Sequence, residues 1–131
     1  IPVGVLCAPM IPMINDSELE SLLAEAKAAG ALSASYVMLR LPLEVAPLFE
    51  EWLQAHYPQR AAHVMSLIRQ SRGGEVYDSR FGVRMRGEGP FADLLARRYS
   101  VAIKRLGLNR REGFDLDCEA FCPPGGQMSL L

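Results

Sequence analysis

Arg69, Arg72, Arg80, Arg84 and Arg86 fall in one short stretch, interleaved with Tyr77 and Phe81. A guanidinium offers bidentate contacts to phosphate or carboxylate, and an adjacent aromatic ring offers a face on which a base can stack. Gly73, Gly74, Gly82 and Gly87 lie in the same stretch and let backbone approach a ligand closely. Arg72, Arg80, Arg84 and Arg86 are therefore the candidate phosphate- or substrate-binding residues. The same pattern also suits a loop that wraps a neighbouring domain through ion pairs, since Glu75, Asp78 and Glu88 sit among the arginines.

Charge is distributed unevenly around this stretch. The 131-residue chain has a net charge of −1, yet residues 69–111 carry 11 basic and 4 acidic groups, a balance of +7. Residues 1–68 and 112–131 each balance at −4. Such asymmetry points to an anionic partner for the middle segment. Cys7, Cys118 and Cys122 form an odd set without the regular spacing of a secreted disulfide framework, which fits a reducing, cytoplasmic setting. Cys7, inside an apolar run, reads as a small buried hydrophobe. His56 and His63 have no metal-ligand spacing with the cysteines or with each other. No apolar run is long enough to span a bilayer.

The elements that must position these groups follow from periodicity. Val3 to Ala8 reads as a strand covered on both faces, as in parallel sheets, with Pro9 and Pro12 stopping the ladder. Asn15 fits an N-cap, with Glu18 completing a capping box. Leu19, Leu22, Leu23 and Ala26 then mark one helix face, and Gly30 ends it. Ala34 to Leu41 repeats the strand pattern, with Arg40 at its C-terminal end, where it could meet an anionic group or pair with Glu44. Val45, Leu48, Phe49, Trp52 and Leu53 mark a second helix, with Pro47 tolerated in its first turn. Ala61, Val64, Met65 and Ile68 stripe a third. Residues 75–89 read as a loop. Pro90 opens a long helix with Phe91, Leu94, Leu95, Tyr99, Ala102, Ile103 and Leu106 on its buried face.

The run "APMIPMIND", a Leu-rich helix, "AGA" and "SASYVMLRLP" resemble the last two βα units of a radical S-adenosylmethionine (SAM) enzyme barrel. "EVAPLFEEWL", "RAAHVMSLIRQSRGG" and "YDSRFGVRMRGEGPFADLLARRY" resemble the C-terminal part of bacterial radical SAM proteins related to spore photoproduct lyase. The resemblance implies an incomplete (β/α)6 barrel and a SAM-contacting pattern like G-x-I-x-G-x-x-E at the end of the fifth strand. Ile11 and Asp16 fall in place in that pattern, while Pro9 and Met13 replace its glycines. Ile11, Met13 and Arg40 are thus the implied cofactor-binding residues. A plain βα turn with Ile11 in the core is the alternative.

The [4Fe–4S] cluster implied by the resemblance needs a CxxxCxxC loop, which this chain does not carry. Cys118-x-x-x-Cys122 repeats the first spacing, but Gly125 stands at the third position. No catalytic residue and no metal ligand are therefore expected in this chain, with SAM and the [4Fe–4S] cluster belonging to a longer parent. The expected fold class is α/β: two parallel βα units of a partial barrel over 1–57, a helical, basic extension over 58–111 and a tail over 112–131. The expected function is the C-terminal part of a radical SAM enzyme acting on an unknown substrate, with nucleic acid one candidate. The alternative is a non-catalytic α/β module that binds nucleic acid or an acidic partner through its arginines. Expected partners are the upstream barrel of a parent chain and a second copy, because two strands leave edges unpaired; no membrane is expected.

Overall fold

The computed structural model describes residues 2–109. The expectations placed on Cys118, Cys122 and the 112–131 tail lie outside them. The described chain runs β1 (Gly4–Met10), a 3-10 turn (Asp16–Glu18), α1 (Leu19–Ala28), β2 (Ser33–Met38), α2 (Val45–His56), α3 (Pro58–Gln70), α4 (Val83–Arg86) and α5 (Pro90–Leu106). β1 and β2 pair in parallel, with Gly4 opposite Ser33 and Cys7 opposite Tyr36. The fold is mixed α/β, with one parallel βαβ unit at its N-terminal end.

Two boundaries differ from the periodicity. β1 does not stop at Pro9 but runs to Met10, with a cis Ala8–Pro9 bond and a register shift between Cys7 and Met10. Proline has no N–H to give, so the ladder skips it and resumes where Met10 O accepts from Leu39 N at 3.0 Å. β2 ends at Met38, which leaves Arg40 just beyond the strand.

Two cores hold the chain together. The first joins Cys7, Met10, Tyr36 and Met38 of the sheet to Leu19 and Leu23 of α1 and to Ala92, Leu95, Ala102 and Ile103 of α5. The second joins Leu41 and Leu53 to Ala61, Val64, Met65 and Ile68, with Ile11 and Ile14 packed against it. Neither core stops at residue 57. The striping of α3 is thus buried as its spacing predicts, while on α5 Ala92 is buried and Leu94 is exposed.

Only one face of β1 is covered. Val5 and Cys7 turn toward the first core, whereas Leu6 on the other face is 59% exposed, against the expectation of two covered faces. Helix α1 ends in a Schellman pair, Ala31 N–H to Ala26 O at 2.9 Å and Gly30 N–H to Lys27 O at 3.0 Å, with Gly30 at φ +96°. No helix among the described residues is long and apolar enough to cross a membrane.

Candidate functional site

Two loops lie at the C-terminal end of the sheet. The first, Pro9 to Asp16, is built by two short polar side chains. Asn15 does not cap a helix; its Oδ1 accepts from Ile11 N–H at 2.7 Å and its Nδ2 donates to Pro9 O at 2.9 Å. The capping box expected with Glu18 therefore does not form, because Asn15 spends its side chain closing the preceding turn. Asp16 Oδ1 accepts from Met13 N–H at 2.7 Å, and Met13 sits at φ +61°. That conformation favours glycine, since an L side chain there crowds the backbone. Pro12 is fully buried, Met13 is 45% exposed, and Ile11 is half-buried against the second core.

Arg98 of α5 clamps this loop from behind. Its guanidinium donates to Glu20 Oε1 and Oε2 at 2.8 and 2.7 Å, to Asp16 O at 2.7 Å and to Asp16 Oδ2 at 3.2 Å. The Arg98 hydrogen bonds hold the Glu20 carboxyl below its ordinary value, and the same contacts raise the guanidinium. Sequence reading placed no role on Arg98. A helix-borne arginine and two acids in the N-terminal part of the chain gave no local signal.

The second loop is the arginine-rich segment, and it is not wholly irregular: Val83–Arg86 form one short helical turn. Its ends touch, Glu88 N–H donating to Ser71 O at 3.1 Å, so residues 72–87 form an Ω-loop. Gly87, at φ +72°, closes it. A Cβ there would lie 3.1 Å from both Met38 Sδ and Ser71 O, so only glycine lets the loop press onto β2.

The arginines of this loop divide by what they touch. Arg72 is 2% exposed and threads the loop's interior, donating to Val83 O at 2.7 Å and to Leu39 O at 2.9 Å. Burial lowers its pKa, Asp78 opposes that, and the neighbouring Arg40 charge adds to it. Arg72 thus pins the Ω-loop to the sheet rather than facing solvent as a phosphate ligand must. Arg80 is spent on a fork to Asp78 at 2.6 and 2.9 Å and on Glu88 at 2.9 Å. These contacts raise its pKa and hold the Asp78 carboxyl below its usual range. Arg69, on α3, pairs with Glu50 at 3.1 Å.

Arg40, Arg84 and Arg86 make no ion pair among the described residues. Arg40 does not pair with Glu44; it donates to Tyr77 OH at 3.0 Å and reaches Met85 Sδ at 4.0 Å. Arg84 lies over the Phe81 ring at 5.4 Å, and Phe81 is 92% exposed. Buried Nε atoms of both Arg40 and Arg84 lack a hydrogen-bond partner among the described residues. Arg86 turns away and stacks on Tyr36 at 4.3 Å. The structure therefore brings Arg40 to Tyr77 and Met85, sets Arg84 against Phe81 and Arg86 apart on Tyr36, and withdraws Arg72 and Arg80 into internal contacts. Uncompensated guanidinium groups beside an exposed ring can take an oxyanion with a flat group attached.

Cys7 is the one thiol of the described residues, and burial raises its pKa. No group of three His, Cys, Asp or Glu side chains among them could hold a metal ion. No protein-family profile, curated protein or solved structure matches the chain.

Proposed function

We propose that this chain is the C-terminal part of a radical SAM enzyme, contributing a wall of the cofactor pocket and the anion contacts for its substrate. The observation that carries the reading is Met13 at φ +61°, on the loop that leaves a parallel strand and enters a helix. The radical SAM pattern has glycine at this position, and glycine is the residue that a positive φ favours. Ligands of open α/β sheets lie beyond the carboxyl ends of strands, where this loop and Arg40 both stand. The uncovered face of β1, with Leu6 exposed, is the face that further barrel strands would close.

The fit to the cofactor is partial. An apolar, proline-stiffened mouth with Met13 exposed suits the edge of an adenine. Ile11 contributes less than the pattern implies, because its N–H and C=O are used within the loop and its side chain packs inward. The described residues do not fit a four-iron cluster, which takes more thiolates than Cys7 alone supplies. When bound, SAM and the cluster supply the radical chemistry; this chain's residues orient and exclude water. Arg40 and Arg84 then meet an anionic substrate.

The full-length parent, reconstituted anaerobically with iron and sulfide, is expected to cleave SAM to 5′-deoxyadenosine on reduction. A parent without the cluster loop, or without that product, sinks the reading. A second reading is favoured by Phe81 and Arg84: a non-catalytic module that places an exposed ring and a guanidinium against single-stranded nucleic acid. The bare edge of β1 further supports self-association of the isolated chain.

A further inference from the structure

A separate depression of about 290 Å3 lies where α4 runs into α5, lined by Tyr36, Arg86, Gly87, Ala92, Asp93 and Ala96. Three features of it do not involve the Phe81 ring. Arg86 stacks its guanidinium face on Tyr36, 4.3 Å from the ring centroid, and on Tyr99 at 5.5 Å. Stacking occupies the face of a guanidinium and leaves the N–H donors along its edge to point outward in the plane. Asp93, in the first turn of α5, lines the same depression, is exposed and forms no ion pair with Arg86. Tyr36 is 1% exposed, and its hydroxyl has no hydrogen-bond partner among the described residues.

We propose that this depression binds a zwitterion, an α-amino acid or the amino-acid end of a larger molecule. The ligand's carboxylate takes the edge of Arg86, and its ammonium takes Asp93. A simple anion is a poorer occupant, because Asp93 faces it with like charge. A simple cation meets the same objection from Arg86. A group carrying both charges a few bonds apart satisfies both walls at once. Gly87, Ala92 and Ala96 project almost no side chain and leave room for a small molecule. The size fits one amino acid rather than a drug-sized ligand. This inference does not rest on the radical SAM reading.

The test is amide NMR titration of the full chain with four probes: L-methionine, N-acetyl-L-methionine, L-methioninamide and SAM. L-methionine is expected to shift the amides of Gly87 and Ala92 saturably, and each blocked form to bind at least tenfold more weakly. Arg86→Gln should abolish the preference for a free carboxylate and leave that for a free amine. Asp93→Asn should do the converse. Both side chains are exposed, so neither change should unfold the chain; a melting curve checks this. SAM binding as tightly as L-methionine places the site on the amino-acid end of a larger molecule, and weaker binding assigns it to free amino acids. Blocked and free forms binding equally, or no shift with any probe, overturns the proposal.

Discussion

The loop from Pro9 to Asp16 and the Ω-loop from Arg72 to Gly87 approach the same end of the sheet, and each hides its backbone groups differently. In the first, the short acceptors Asn15 and Asp16 take up N–H groups three and four residues away. In the second, one long donor, Arg72, reaches carbonyls at Val83 and, 33 residues away, at Leu39. A turn closed by its own residues can keep its shape when neighbours change. A loop held through a buried cation depends on that cation, because removing it strands two carbonyls in a dry place.

The sharpest way to break this contrast is Arg72→Ala. We expect it to cost about 3 kcal/mol in urea unfolding of the chain, through two lost charge-assisted hydrogen bonds and a cavity. Arg84→Ala should cost less than about 1 kcal/mol, the scale of an exposed cation–π contact. If the parent binds an oligonucleotide, the same Arg84→Ala change should flatten the log–log salt slope by about 0.7–0.9, one phosphate contact. A loss above about 2 kcal/mol with an unchanged slope would give Arg84 an internal role like that of Arg72.

The clamp behind the first loop should have a smaller effect than Arg72, with a signature in pH. Arg98→Ala should cost about 1–2 kcal/mol, since the pairs it breaks are only partly buried. Glu20 has a folded pKa below its unfolded value near ~4.3. Its contribution is therefore complete above that unfolded value and fades as pH falls through the folded one. The unsubstituted chain should lose more stability than its Arg98→Ala variant on going from about pH 6 to about pH 3. Equal losses would mean that Glu20 draws nothing from Arg98.

The same contrast explains how much could be read from sequence. The two parallel strands, helices α1, α2, α3 and α5 and the buried stripe of α3 were legible, because apolar periodicity records which side of an element faces a core, whereas the single turn of α4 is too short to show a period. Gly30 and Pro90 marked helix ends through backbone preferences that act locally. What was not legible is how polar side chains are shared. Asn15 had two competing local uses, and composition cannot rank a helix cap above a turn. Arg72 and Arg84 lie on the same basic stretch, yet one is buried and the other borders an exposed ring. That difference is made by Leu39 and Val83, whose carbonyls carry no side-chain signal. Arg98 was missed for the same reason, its partners lying 78 and 82 residues away.

Met13 gives the smallest expected effect and the closest look at the first loop. Its φ of +61° places its Cβ against its own backbone, a cost of about 1–2 kcal/mol relative to glycine. Met13→Gly relieves that crowding but loosens the unfolded chain, which takes back about 0.4–1 kcal/mol. The side chain is 45% exposed, so little packing is lost with it. The net expectation is a gain of about 0.5–1 kcal/mol in urea unfolding. Leu43 supplies the control, with φ +43° and 82% exposure, but with no role in the loop from Pro9 to Asp16. Leu43→Gly should stabilise by a similar amount and leave SAM affinity of the full-length parent unchanged. Met13→Gly should stabilise and also change that affinity, because Met13 stands at the mouth where the cofactor's edge is proposed to lie. Stabilisation by both changes with no effect of either on SAM would leave the positive φ a local turn feature and remove the main support for a cofactor wall here.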